Sequence, residues 1–151
     1  MKFYRIENKP YYKLKVFATL IDYGIYFILF WFFCRGFGVH DPDTDEYTVT
    51  GTLALVPVIY WFLYFVVLEM INQATPGHDI CKLKVYATDG QKPSFSQAFK
   101  RRVCDPIDIF MWGVPAFICI SKTPKHQRIG DLWADTIVAK KTDVVETEVT
   151  F

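Results

Sequence analysis

The sequence predicts an all-α membrane protein: two transmembrane helices plus a re-entrant or interfacial helical hairpin, with a small cytoplasmic two-stranded β element. Three observations carry this. The run from Val16 to Phe33 holds a single charge, Asp22. A second run, Thr52 to Ile71, is nearly as apolar, and roughly 20 such residues are needed to cross a bilayer core. A third run, Pro106 to Ile120, is shorter and is broken by Gly113 and Pro115. The chain has 151 residues, of which 52% are hydrophobic and 18% aromatic. The apolar residues stand in blocks and not in the scattered pattern of a soluble core.

The first fifteen residues carry Lys2, Arg5, Lys9, Lys13 and Lys15, with Tyr11 and Tyr12 beside the apolar run. Basic and aromatic residues together mark a membrane interface. The segment is expected to form a short surface helix interrupted by Pro10. The first span, about 16–33, reads as uncleaved, because no small-residue cleavage site follows it. Asp22 lies about 9 Å into it at helical rise. Lys15, seven residues earlier, projects from nearly the same face. Asp22 is therefore expected to face Glu69, Lys15 or the cytoplasmic cap and not lipid, and in a purely structural role to pair with Lys15 or Arg128.

Arg35 to Gly51 reads as an acidic loop. Asp41, Asp43 and Asp45 resemble the opening of a calcium loop, but Glu46 stands where glycine is required and Thr52 where glutamate is. No metal site is predicted. The second span, about 52–71, tolerates Pro57 near its start and holds Glu69 near its end. Two antiparallel spans put Glu69 in the leaflet of Asp22. Lys15, Asp22 and Glu69 are thus the candidate intramembrane polar site.

Beyond Asn72 the chain turns polar and basic. Thr75-Pro76-Gly77 reads as a turn, Lys82 to Ala87 as a strand and Asp89-Gly90 as a turn. Ser94 is placed to cap a helix running to Arg102. The hairpin at 106–120 would cover only about 22 Å as a straight helix. Basic residues flank both of its ends, so both are expected on one side. Thr136 to Ala139 is the second strand, expected to pair with the first. Residues 142–151 are a short C-terminal tail expected to fray, and residues 1–141 form one membrane domain. Cys34, Cys81, Cys104 and Cys119 lack metal-ligand spacing and read as apolar fillers.

Basic residues are five before the first span, one in the first loop, six in the middle segment and five after the hairpin. The positive-inside rule then places both termini in the cytoplasm.

Several blocks together resemble one family. They are Lys15, Ala18 and Asp22, then Glu69, then Thr75-Pro76-Gly77, then Leu83-Lys84-Val85 with Asp89-Gly90, then Gln127-Arg128-Ile129-Gly130-Asp131 with Ala134 and Thr136-Ile137-Val138. This order resembles the RDD family of bacterial membrane proteins over roughly residues 13–141. The family is named for an arginine and two aspartates. Lys15 matches the arginine, keeping its charge without the planar fork. Asp22 matches the first aspartate and Asp131 the second, with Asp105 and Asp108 as alternatives. His78 replaces the usual lysine after Thr-Pro-Gly. The resemblance implies a cytoplasmic (inner) membrane protein, with Thr75, Pro76, Gly77, Arg128, Gly130 and Asp131 as the cytoplasmic cap motif.

Two functions are expected. One is transport of an ion or small ligand, as a homo-oligomer or with a larger membrane protein, since two spans enclose no pathway alone. The other is an accessory subunit docking through Phe27, Phe30, Trp31, Phe62 and Phe65. No nucleophile–base pair or phosphate loop appears, so neither catalysis nor a cofactor is predicted. The lipid bilayer is the expected partner. Nucleic acid is not, because the net charge is +1 and the basic residues fit a membrane face.

Overall fold

A computed structural model describes residues 2–7 and 9–148. β1 (Lys2–Ile6) leads into α1 (Tyr12–Phe37), followed by the hairpin β2 (Val39–Asp41) and β3 (Glu46–Thr48). A continuous helix, α2 (Gly51–Asn72), returns. Then come α3 (Pro76–Ile80), β4 (Leu83–Ala87), α4 (Phe95–Val103), α5 (Asp105–Lys122), α6 (Ile129–Trp133), β5 (Thr136–Lys140) and β6 (Val144–Glu148).

α1 has 26 residues and α2 has 22, so they extend about 39 and 33 Å at 1.5 Å per residue. Both are long and apolar enough to cross a membrane. α1 is inside out relative to a soluble helix. Its buried residues are Lys15, Ala18 and Asp22, spaced by three and four so that they form one stripe. Val16, Phe17, Leu20, Phe27 and Trp31 are exposed on its other faces. A bilayer is the solvent that such a surface suits.

α2 starts as a 3-10 turn, becomes α-helical, and widens to a π-helical turn over Phe62–Val67. The wide turn coincides with three consecutive buried residues, Tyr64, Phe65 and Val66. Stacked rings join the two long helices: Tyr23 on Phe65 at 4.8 Å and Tyr26 on Tyr60 at 5.6 Å between centroids. Phe65 is therefore internal, which corrects its expected place on a docking face.

β4 and β5 pair antiparallel, from Leu83 opposite Lys140 to Ala87 opposite Thr136. This is the two-stranded element expected from their β-type patterns. Leu83, Val85 and Val138 pack on Ala18 of α1. The apolar core is small and lies at one end of the long helices. Ser94 starts α4 with a capping box: its hydroxyl accepts from Gln97 N–H, and Gln97 Oε1 accepts from Ser94 N–H at 2.9 Å.

The third apolar run is helical throughout, but it is bent: the segment Phe95–Ile109, which includes α4, and the segment Gly113–Lys122 meet at 110°. The bend falls at Gly113, whose φ is +82°, a conformation that costs glycine little. Pro115 lies inside the second arm.

Three expectations are corrected. The N-terminal segment is a strand, not a surface helix. The tail is not frayed over 144–148, because β6 pairs with β1 from Lys2 opposite Glu148 to Ile6 opposite Val144; residues 149–151 of that tail lie outside the described residues. Part of the acidic loop is ordered as a hairpin, with His40 Nε2 and Asp45 Oδ1 2.7 Å apart. Asp143 fastens the terminal strand pair, accepting from Tyr11 Oη–H at 2.6 Å and from Lys9 Nζ at 3.1 Å.

Candidate functional site

Two polar clusters lie at the Lys15 end of α1. The first is built on Asp22, which is 1% exposed. Its carboxylate accepts from Thr75 Oγ1–H at 2.5 Å, Gly77 N–H at 2.6 Å and His78 Nδ1 at 2.9 Å. Tyr64 Oη approaches to 3.5 Å. Thr75 stands at the N-cap of α3, yet its hydroxyl makes no cap bond. Asp22, from another helix, takes that place and receives the free N–H of Gly77, as a carboxylate does at a helix N-terminus. Gly77 is required by space: a Cβ there would lie 2.8 Å from Asp22 Cγ. Burial pushes the His78 pKa below its ordinary value, and the charges of Arg102 and Arg101 add to this against the opposing pull of Asp22. His78 thus meets Asp22 as a neutral imidazole donating from Nδ1.

The second cluster is larger and fully buried. Glu69 accepts from Arg101 Nη1 at 2.5 Å and from Arg102 Nη2. Arg101 Nε donates to Asp131 Oδ1 at 2.7 Å. Arg102 Nη1 donates to Asp105 Oδ2 at 3.1 Å. The same oxygen accepts from Tyr23 Oη–H at 2.8 Å. Arg128 Nη1 lies 2.9 Å from Asp105 Oδ1, at ion-pair distance but without hydrogen-bond alignment. Asp108 accepts from the backbone N–H groups of Ile129 and Gly130, each at 3.0 Å. Asp131 Oδ2 accepts from Arg128 N–H at 3.3 Å. Burial alone would raise the Asp131 pKa, but the Arg101 and Arg128 guanidiniums outweigh it and hold the carboxyl well below the usual range. Charges removed from water cost several kcal/mol each unless mutually paired; here three guanidiniums meet four carboxylates.

Gly130 permits this contact. A Cβ there would lie 2.8 Å from the Arg101 carbonyl and 3.1 Å from Asp108 Oδ2.

The expected trio of Lys15, Asp22 and Glu69 is not one site. Asp22 faces the Thr75–His78 turn and Glu69 faces two arginines. Of the partners expected for Asp22, it faces the cap motif, through Thr75 and Gly77, and not Lys15 or Arg128: Lys15 Nζ donates to the His126 carbonyl at 2.8 Å, and Arg128 turns to Asp105. Of the expected cap motif, Thr75 and Gly77 hold Asp22, Pro76 opens α3, and Arg128, Gly130 and Asp131 join the buried network.

Arg101 and Arg102, expected on a membrane face, are instead 0% and 1% exposed. The signal that marks them is local: Arg-Arg-x-x-Asp-x-x-Asp from 101 to 108 brings charges of opposite sign three and four apart on helices, next to an apolar run.

A cavity of about 410 Å³ opens between α1 and the bent helix. Val16, Leu20, Ile109 and Phe117 form apolar walls, and Lys15, His78, Arg101, Asp108, Arg128 and Asp131 form its polar end. The cavity therefore joins the apolar flank of α1 to both polar clusters.

No curated protein and no solved structure matches the chain. The RDD family model matches residues 15–135, a stretch that begins at the lysine lining the cavity and takes in both charged clusters, β4, α2 and all but the first three residues of α1. On that match the chain belongs to the RDD family.

Proposed function

We propose that this chain is a non-catalytic, multi-pass protein of the bacterial inner membrane, with both termini cytoplasmic, that transports a small ligand or ion as an oligomer or with a partner. The observation that carries the reading is the cavity between α1 and the bent helix. A solute entering from the apolar side reaches ionised groups that are otherwise sealed from water, and intramembrane charge is by default functional. The orientation draws support from the pairing of β1 with β6, which keeps the two chain ends together, and from the basic-residue counts. The 110° bend suits a re-entrant segment with both ends on one side. The non-catalytic reading is supported by Thr75, His78 and Asp22. His78 turns one nitrogen, Nδ1, to both Thr75 and Asp22, whereas a nucleophile–base–orienter triad needs the two ring nitrogens to face different partners.

A second reading, an accessory subunit, is favoured by the aromatic surface of α1, where Phe27 is 58% and Trp31 52% exposed. Mass measurement in mild detergent followed by flux assays in proteoliposomes separates the two. Transport predicts a particle of several chains, or one with a partner, that moves solute. A stable single chain without flux would sink it, and a stoichiometric larger partner without flux would favour the accessory role.

A further inference from the structure

The donors at the polar end of the cavity are not all used. Lys15 is 8% exposed. Among the described residues its ammonium has one hydrogen-bond acceptor, the neutral His126 carbonyl, and no carboxylate at ion-pairing distance. A buried ammonium with no carboxylate in contact is costly. Arg101 and Arg128 line the same cavity, and each keeps a buried Nη2 with no hydrogen-bond partner. The unmet demand is for an acceptor, ideally an anionic one. The two lining carboxylates are engaged: Asp108 by two backbone N–H groups and Asp131 by Arg101. The walls are apolar, with Val16 54%, Leu20 62% and Phe117 56% exposed. The volume falls within the roughly 300–1,000 Å³ of ligand pockets. Lys15 stands in the first turn of a helix long enough to cross a membrane.

We propose that this cavity binds a single-chain amphiphile with a carboxylate head, a long-chain fatty acid from the bilayer, its head on Lys15, Arg101 and Arg128 and its chain along Val16, Leu20 and Phe117. This names the substrate class for the transport reading above and rests on it for turnover, though not for binding. Lys15 supplies the hydrogen-bonding charge, and the Arg101 and Arg128 guanidiniums behind it add positive charge at the polar end. An oxyanion there gives the Lys15 ammonium a charged acceptor in place of a neutral carbonyl alone.

The test uses the full chain in phosphatidylcholine nanodiscs with three probes: palmitate, hexadecanol (the same chain without charge) and acetate (the head without a chain). Palmitate binds saturably, hexadecanol about tenfold more weakly or worse, since 1.4 kcal/mol is tenfold in affinity, and excess acetate does not displace palmitate. Lys15→Met, which keeps the apolar stem, lowers palmitate affinity about tenfold. Leu20→Trp fills the groove from an exposed position, so it lowers affinity with an unchanged melting temperature. Equal binding of hexadecanol overturns the proposal in favour of bare hydrocarbon. Displacement by acetate overturns it in favour of a small oxyanion. Absence of saturable palmitate binding, or parental affinity in both variants, overturns it outright. Flux without palmitate binding rejects the amphiphile and keeps transport, while palmitate binding without any flux keeps the site and rejects transport.

Discussion

Asp22 and Glu69 are both buried carboxylates with different surroundings, and their neutral variants should differ. Asp22 is held by neutral donors. In Asp22→Asn an amide NH₂ replaces one acceptor oxygen and faces a donor. Hydrogen bonds to a charged acceptor contribute about 1.5–3 kcal/mol each, so a loss of about 2–3 kcal/mol is expected in thermal unfolding in micelles. Glu69 bridges two arginines. Glu69→Gln removes the carboxylate that the two guanidiniums share and leaves each with one buried carboxylate, Asp131 or Asp105; breaking a buried pair costs about 3–5 kcal/mol. This variant should fall further in membrane abundance than Asp22→Asn; the reverse order would contradict the assignment of partners. His78 gives the pH dependence. Its folded pKa lies below the unfolded value of about 6.5, so the unfolded chain binds the extra proton first on acidification. Its contribution is complete above about pH 6.5 and declines as pH falls toward the folded pKa, by at most about 1.4 kcal/mol per pH unit. His78→Asn keeps a donor toward Asp22 and removes the titration. Unfolding midpoints between pH 7.5 and 5.5 should then be flatter in the variant than in the parent.

At the scale of the element, the bent helix depends on one backbone conformation. Gly113 has φ +82°, and an L-residue there costs about 1–2 kcal/mol. Gly113→Ala should therefore lower the melting temperature. Gly24→Ala is the matched control. Gly24 sits in α1 with nothing within 4 Å of an added Cβ, and alanine is the better helix former, so that change should not lower it. Equal losses in the two variants would mean that the bend is not under backbone control. The π-helical turn of α2 shows the same coupling of element to packing. It accompanies the inward placement of Tyr64, Phe65 and Val66, which brings Phe65 under Tyr23 and under the Arg102 guanidinium, 5.0 Å from the ring centroid.

For the whole molecule, β1 and β6 join the two ends of the chain. An even number of crossings must then separate them. In the orientation proposed above, α1 and α2 cross once each and the bent helix enters and leaves on one side. Protease tags fused at Met1 and at Phe151 should both be protected in intact spheroplasts and both be cut after lysis. Cleavage of the C-terminal tag alone from outside would mean a third full crossing, and with it a parted β1–β6 pair.

The sequence by itself determined which segments are long and apolar enough to cross a membrane. Apolar length is a local property, so the two long helices were legible from Val16–Phe33 and Thr52–Ile71. So were the β4–β5 pair, from its short β-type runs, and the Ser94 cap, from residues three apart. The order of the weak motifs was enough to point to the family. What only the tertiary structure decided is which charge meets which. Lys15 and Asp22 share a helix face, and proximity in sequence made them natural partners. Asp22 instead binds a turn some 55 residues away, and Lys15 turns to a backbone carbonyl. Arg101 and Arg102 counted as interfacial charge, yet they lie sealed between Glu69, Asp105 and Asp131. Ion pairs in a low-dielectric interior are selected by distance and by the cost of leaving any one charge unmatched. That cost depends on every neighbour at once, so it emerges only when α2, α4, α5 and α6 are brought together.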